Sequence, residues 1–484
     1  MVRGLRSLRR VVAPALLLPL AVAQQKGEQQ PEVHPQIWTE ECTARGCSYE
    51  KSGLVMDANW RWFNKGGKNC YTDDNTWDPT YCSDPAECAM TCGVDGADYT
   101  DTYGVSTNRY KDGVVLKFVT ETRYSKNFGS RLYVMDSEDT YKLYKLKNRE
   151  FTLTVDVSKL QCGLNGAVYF VEMDKRGDWD GRGNTAGAQY GTGYCDAQCP
   201  HDIKYIKGQA NLKNWNSTSV PPVGHYGACC AEMDIWEANN MATAYTPHPC
   251  SKPGLTKCDG IACGDNKKDQ RYDGICDKDG CDFNSYRMGD LDFYGPGSEF
   301  KVDTTKPVTV VTQFLTVDGT DTGDLSEIKR FYVQDGKVVP NSESTILGPR
   351  GGNSITDSFC SAQKRKFGDI DDFARKGALK EMGEALDRGM VLVLSLWDDT
   401  EVNMLWLDSA YPTDQPPRKP GVLRGPCPGG AQSEPAYLRA TYPDAQVEFS
   451  MIKVGTIGST FSGRRRLGGL RCGTQGNLWE RLSL

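Results

Sequence analysis

Apolar and β-branched residues cluster in short runs along the whole chain, at 114–120, 131–135, 151–157, 168–173, 308–315, 329–334, 391–397 and 447–454. Runs of this length and composition read as strands. The cleanest, Phe151-Thr152-Leu153-Thr154-Val155-Asp156-Val157, alternates as a half-buried strand should. Asp335-Gly336, directly after one run, is a turn signal. One stretch has helical periodicity: 378–387 places Leu379, Met382 and Leu386 on one face. Many short strands with one or two helices predict an all-β fold, a jelly roll of two packed antiparallel sheets. No internal repeat is visible.

Composition strengthens this picture. The 51 glycines and 24 prolines suit long loops between strands. Arg3, Arg6, Arg9 and Arg10 precede an apolar run, 11–22, which ends in the small-residue site Ala21-Val22-Ala23. That is the form of a secretory leader, too short to span a bilayer, so a secreted protein starting near Gln24 is expected. Loss of the leader's four arginines makes the formal net charge of −6 four units more negative, which disfavours nucleic acid and anionic membranes as partners. Nineteen cysteines in an exported chain predict a disulfide framework with one thiol left over. Cys42 with Cys47, Cys82 with Cys88 and Cys258 with Cys263 are spaced as small staples, and Cys472, in an atypical tail, is the natural odd one. Only four histidines and no paired C-x-x-C repeats argue against zinc, and nothing calls for a metal or other cofactor. No Ser/Thr/Pro-rich linker divides the chain. The expected organisation is a leader at 1–23, one catalytic domain at 24–461 and a basic, disordered tail at 462–484. Asn216-Ser217-Thr218 is a glycosylation acceptor and implies an exposed loop.

The chemistry concentrates in Cys229-Cys230-Ala231-Glu232-Met233-Asp234-Ile235-Trp236-Glu237. Three carboxylates within six residues are costly to hold among apolar neighbours unless a reaction uses them. On a regular strand Glu232 and Asp234 share a face and Glu237 points away. A bulge between Asp234 and Glu237 would return Glu237 to the shared face. Crowding would then separate their proton affinities, suiting Glu232 as ionised nucleophile, Asp234 as its positioning partner and Glu237 as protonated acid. Strand-borne carboxyls this close favour the separation of about 5–5.5 Å found in retaining glycosidases. Trp60-Arg61-Trp62, read as a strand, would put two indoles on one face as sugar platforms, with Trp397 and Trp406 as further candidates.

Gly227 through Asn239, followed by Thr246-Pro247-His248-Pro249-Cys250, closely resembles glycoside hydrolase family 7, the fungal cellobiohydrolases I and endoglucanases I. The resemblance extends from about residue 24 to 463 and includes Asp57-Ala58-Asn59-Trp60-Arg61-Trp62, Asn165-Gly166-Ala167-Val168-Tyr169-Phe170, Tyr190-Gly191-Thr192-Gly193-Tyr194-Cys195-Asp196, Phe293-Tyr294-Gly295-Pro296-Gly297 and Ser395-Leu396-Trp397-Asp398-Asp399. It implies a concanavalin-like jelly roll with a long glucan groove or tunnel built from disulfide-stapled loops. It implies Glu232 as nucleophile, Asp234 as hydrogen-bonding neighbour and Glu237 as acid/base, with platforms at Trp60, Trp62, Trp397 and Trp406. Asn165, Tyr169, Asp196, Gln198, His248, Arg271, Asp279, Arg287, Asp398, Tyr411 and Arg424 look like the polar groups that hold glucosyl units. The family pattern implies the pairs Cys42–Cys47, Cys70–Cys92, Cys82–Cys88, Cys162–Cys427, Cys195–Cys230, Cys199–Cys229, Cys250–Cys276, Cys258–Cys263 and Cys281–Cys360, leaving Cys472 free.

The stapled segment 250–287, with Arg271-Tyr272 and Asp279, looks like the roof of a cellobiohydrolase tunnel. The implied activity is processive release of cellobiose from reducing ends of cellulose by a monomeric enzyme without a separate cellulose-binding module. Two departures favour a partly open tunnel: Asp399-Thr400-Glu401-Val402-Asn403 lacks the tyrosines many fungal members carry, and 63–69 is short. An open-cleft endo-β-1,4-glucanase is the alternative. A non-catalytic glucan-binding lectin, the remaining one, would need the aromatics but not three aligned acids.

Overall fold

The computed structural model describes residues 24–123, 125–179, 184–265, 270–348 and 351–461. The expected leader and tail, and Cys472, lie outside them. Two sheets are built chiefly from β1 (Gln36–Thr43), β2 (Gly46–Met56), β3 (Gly113–Lys117), β4 (Ser130–Ser137), β5 (Arg149–Asp156), β6 (Leu164–Val171), β7 (Glu232–Ala238), β8 (Thr243–His248), β9 (Phe283–Asn284), β10 (Val308–Thr316), β11 (Leu325–Gln334), β12 (Lys337–Pro340), β13 (Met390–Asp398) and β14 (Gln446–Thr456). In the back sheet β14 lies beside β5, followed by β10, β11 and β12, while β1 and β3 share its other edge. The front sheet runs β2–β4–β13–β6–β7–β8–β9. β2 belongs to both: its first part pairs with β1 and its last residues, Leu54 to Met56, pair with β4. The result is the β-jelly-roll sandwich expected from the strand pattern.

Alternation explains the layers. Phe151, Leu153 and Val155 of β5 meet Val168, Phe170, Leu392, Leu394, Met233 and Trp236 of the front sheet in one buried core. The opposite face of the front sheet also carries a buried cluster, including Tyr133, Tyr169, Val171, Val391, Val393 and Tyr194. Side chains of the long loop after β6 contribute to it, so that face is buried by loops rather than by a second sheet. Asp335 (φ 51°) and Gly336 (φ 71°) form the expected two-residue turn between β11 and β12.

Three expectations change. The 114–120 run is broken at Phe118, where Gly113–Lys117 ends and Val119–Glu121 begins. Six α-helices occur among the described residues rather than one or two. Asp357–Phe367, for example, is capped by Thr356 and Gly368 and buries Phe359, Cys360, Gln363 and Phe367. Trp60-Arg61-Trp62 is not a strand: Ala58–Trp60 is a short 3₁₀ turn capped by Asp57, and the buried Arg61 ion-pairs with Glu32. The nine disulfides join the same cysteines that the family pattern pairs. Every cysteine cluster tight enough to suggest a metal consists of these bonded sulfurs with at most one further side chain.

Candidate active site

β7 carries the acids on the loop-covered face. Its pairing with β6 sets Glu232 opposite Val171, Asp234 opposite Tyr169 and Glu237 opposite Ala167, with a register shift that leaves Ile235 as an extra residue. The same shift, between Asp234 and Glu237, appears against β8. Directly paired residues share a face, so the bulge brings all three carboxyls to one side. Ile235 and Trp236 are fully buried in the core beneath. Arg330 of β11 reaches through that core from the back sheet. Its guanidinium donates to the Ile235 carbonyl and to Thr312 Oγ1 (3.1 Å), and lies 4.1 Å from the Tyr245 ring. The carbonyl of the inserted residue is thereby satisfied without water.

Each acid has distinct partners. Glu232 Oε2 accepts the Ala197 N–H at 3.0 Å. Glu237 Oε1 accepts from Asn165 Nδ2 at 3.0 Å, while Asn165 Oδ1 accepts the Ala238 N–H at 3.0 Å. Asp234 Oδ2 pairs with His248 Nε2 at 3.0 Å, and His248 Nδ1 donates to the Asp277 carbonyl at 2.8 Å. Gly280 permits this contact: with φ +60°, a Cβ there would sit 2.7 Å from His248 Cε1. Burial raises the Glu232 carboxyl well above its ordinary range, and the charges of Asp234, Asp196 and Glu237 push it further. Burial and Asp234 likewise raise Glu237, with His248 and Asn165 opposing. Burial disfavours the His248 imidazolium, but its hydrogen bond to Asp234 and that carboxylate's charge outweigh this and push it up to about 9.

The other candidates are laid out across the strand order. Trp60 and Trp62 lie where the chain leaves β2; Trp62 is 38 % exposed and its indole donates to Asn69 Oδ1 at 2.7 Å. Trp397 on β13 pairs with Asn165 on β6, sharing the acid-bearing face, and its ring lies 6.4 Å from that of Trp406 at 29°. Beyond β8 come Arg271, Asp279, Arg287, Tyr411 and Arg424. Arg271 Nε and Tyr272 Oη donate to Asp279 at 2.7 and 3.0 Å; against the effect of burial, the Arg271 charge holds Asp279 below the carboxylate range. Arg424 Nε donates to the Tyr411 carbonyl at 3.3 Å; burial and the neighbouring Arg287 lower Arg424 to about 10. Tyr169 and Tyr194 hydroxyls meet at 2.9 Å, and Tyr194 donates to Asp196 at 2.7 Å.

Four of the polar candidates are committed internally. Arg287, 4 % exposed, is held by Asp282, Asp369 and the Gly421 carbonyl. Both Asp398 oxygens accept from Arg439, at 2.7 and 2.9 Å. His248 spends both ring nitrogens as described, and Asn165 is fully buried. The Asn216 acceptor lies on an exposed turn.

Residues 26–461 match the model of glycosyl hydrolase family 7. The chain belongs to that family. Among solved structures it is similar to a family 7 cellobiohydrolase from Daphnia pulex, at 50 % identity and TM-score 0.86 over 90 % of this chain and 100 % of that one. A cellobiohydrolase from Melanocarpus albomyces in complex with cellotetraose gives 40 % identity and TM-score 0.83 over the same shares. The Humicola insolens endocellulase EGI gives 36 % and 0.75, again over 90 % of this chain and 100 % of that one. The protein is thus a family 7 cellulase, and both exo- and endo-acting relatives match it.

Three residues around these candidates escape sequence reading. Arg330 has no local signal, because its partner carbonyl lies 95 residues away. Lys204 donates to the Asn59 carbonyl at 2.6 Å beside Trp60, and burial lowers its ammonium to about 8. Lys278 is the third; only its position between Asp277 and Asp279, inside the Cys276–Cys281 segment, could have drawn notice.

Proposed function

We propose that this secreted family 7 cellulase cuts β-1,4-glucan with retention, releasing cellobiose from reducing ends as a monomer. The row of Glu232, Asp234 and Glu237 on one face of the bulged strand carries the proposal. Glu232 attacks the anomeric carbon in its ionised form, which the Ala197 N–H favours against the burial and neighbouring charges that raise it. Glu237 donates a proton to the leaving oxygen, and the resulting glycosyl–enzyme ester is hydrolysed by water that Glu237 deprotonates. Asp234, charged against the His248 imidazolium, keeps the neighbouring acid protonated. Glu237 is sensitive to His248 and Asp282 while Glu232 is sensitive to Asp196. The side beyond β8, with Arg271, Asp279, Tyr411, Arg424 and Trp406, therefore receives the leaving disaccharide, and Trp60, Trp62 and Trp397 hold the remaining chain.

Exo action is supported by the roof segment, which three disulfides anchor: Cys250–Cys276, Cys258–Cys263 and Cys281–Cys360. The higher identity to the two cellobiohydrolases points the same way. The tight hairpin of Phe63–Lys65 and Lys68–Asn69 favours a partly open tunnel. The test is the product profile from unmodified cellulose with the released anomer resolved. Cellobiose in the β-configuration should dominate. A rapid viscosity drop on soluble substituted cellulose with little cellobiose would establish the endo alternative instead.

A further inference from the structure

Asp277, Lys278 and Asp279 are pinned at consecutive positions. The Asp277 carbonyl receives His248 Nδ1 and the Lys278 carbonyl receives Gln198 Nε2, each at 2.8 Å, while the Asp279 carboxylate holds Arg271 and Tyr272. This backbone is thus fixed to the catalytic strand's neighbour, to the loop bearing Asp196 and to the roof. Lys278 is only 7 % exposed, yet its ammonium makes no hydrogen bond or ion pair among the described residues. Nor does that nitrogen belong to the polar atoms sealed from solvent without a partner. It therefore keeps contact with solvent, among charged side chains from three separate loops. The charges acting on it come from Arg271 and Asp265 of the roof segment, Asp196 of the loop beside β7, and Glu401 of the loop after β13.

A packing role alone would be met by methionine, which has a similar stem and no charge to desolvate. Burial, reinforced by Arg271, lowers this ammonium to about 8, a cost that a structural residue would avoid. Three N–H donors on a fixed backbone, with Gln198 and Asp196 alongside, suit adjacent hydroxyls of a sugar ring.

We propose that Lys278 is a specificity-determining residue of the leaving side, its ammonium donating to hydroxyls of the glucosyl units just beyond the scissile bond. The assignment rests on the glucan-cleaving reading above. The experiment measures inhibition by cellobiose, which should fill the leaving side, during hydrolysis of an aryl β-cellobioside by wild type, Lys278→Met and Lys278→Arg. The thermal melt of each variant reports folding. A hydrogen bond from a charged donor is worth about a tenfold change or more, so cellobiose should inhibit the Met variant about tenfold more weakly. Lys278→Arg should recover most of that loss, which a merely structural role would not produce. If the Met variant does not fold, Lys278→Gln takes its place with the same expectation. A folded Met or Gln variant inhibited within about twofold of wild type overturns the assignment, as does failure of Arg to restore inhibition. A wild-type enzyme that neither cleaves the cellobioside nor responds to cellobiose would instead overturn the glucan reading itself, and Lys278 with it.

Discussion

The two faces of β7 are both largely buried, with Glu237 half-buried, and to opposite effect. Met233, Ile235 and Trp236 are sealed against the back sheet, where each contributes about 1.5–3 kcal/mol of transfer free energy. Glu232 and Asp234, on the other face, are 8 % and 4 % exposed. There burial works against the fold, because it raises the carboxyls that neutral pH would ionise. The inner face stabilises; the outer face stores unfavourable charge that only the loops can hold in place. Cys195–Cys230 and Cys199–Cys229 tie the first of those loops to the residues immediately before Glu232. Rigid support of this kind keeps a reactive constellation from relaxing.

The comparison breaks most visibly at the acids themselves. Glu237→Gln should lower turnover by about 10²–10⁴-fold on substrates with poor leaving groups, the range of a general acid. Glu232→Gln, which removes the nucleophile, should be more severe, while glucan binding survives. Wild-type-like turnover in either variant would refute the roles. Stability should move the other way. A carboxyl raised on folding contributes stability below its ordinary range and loses it as pH climbs through the raised value. Each Gln variant should therefore melt like wild type near pH 4 and increasingly above it as pH rises. Thermal melts across pH that show the Gln variants consistently less stable would mean that the outer face is not strained.

What the sequence makes legible follows the same division. The strands facing the shared core announce themselves because their apolar residues alternate: the 151–157 run overlaps the observed Arg149–Asp156, and 391–397 lies within Met390–Asp398. β1 and β2 escape notice, because Thr43, Ser48, Glu50 and Lys51 are exposed and dilute the signal. Their pairing relies on register and on Cys42–Cys47. The bulge is inferable from chemistry alone, since three acids have to share a face. Its support is not. Arg330 acts through contacts between residues far apart in the chain, and so do the Arg439–Asp398 pair and Lys278. The Trp60-Arg61-Trp62 misreading has a local cause: Asp57 caps a 3₁₀ turn whose period a three-residue pattern cannot distinguish from a strand.

Arg330 tests whether the two faces are coupled. It makes no ion pair among the described residues, being held by the Ile235 carbonyl, Thr312 and aromatic faces. Arg330→Met leaves the bulge carbonyl without its partner, a cost of about 1–3 kcal/mol. If that contact also aims Glu237, kcat should fall by about 10²-fold, the scale of a small misplacement of a reacting group. Chemical denaturation and steady-state kinetics on the same preparation separate the two effects. A stability loss with unchanged kcat would show that the bulge keeps its shape without Arg330.

The smallest expected effect lies at His248, which sets the balance among the acids. His248→Gln removes the positive charge paired with Asp234 and should cost about tenfold in kcat/KM, the scale of one charge-assisted hydrogen bond. Because His248 lowers Glu237, its removal should move the alkaline limb of the pH–rate profile to higher pH. Stability gives an independent check. Folding raises His248 from its ordinary 6.5 to about 9, so the stabilisation from its pair with Asp234 is complete below about pH 6.5 and vanishes as pH passes about 9. Wild type should melt above the Gln variant at about pH 6, and the gap should close by about pH 9 to 10. A gap that stays constant over that range would show that the histidine is neutral in the folded enzyme.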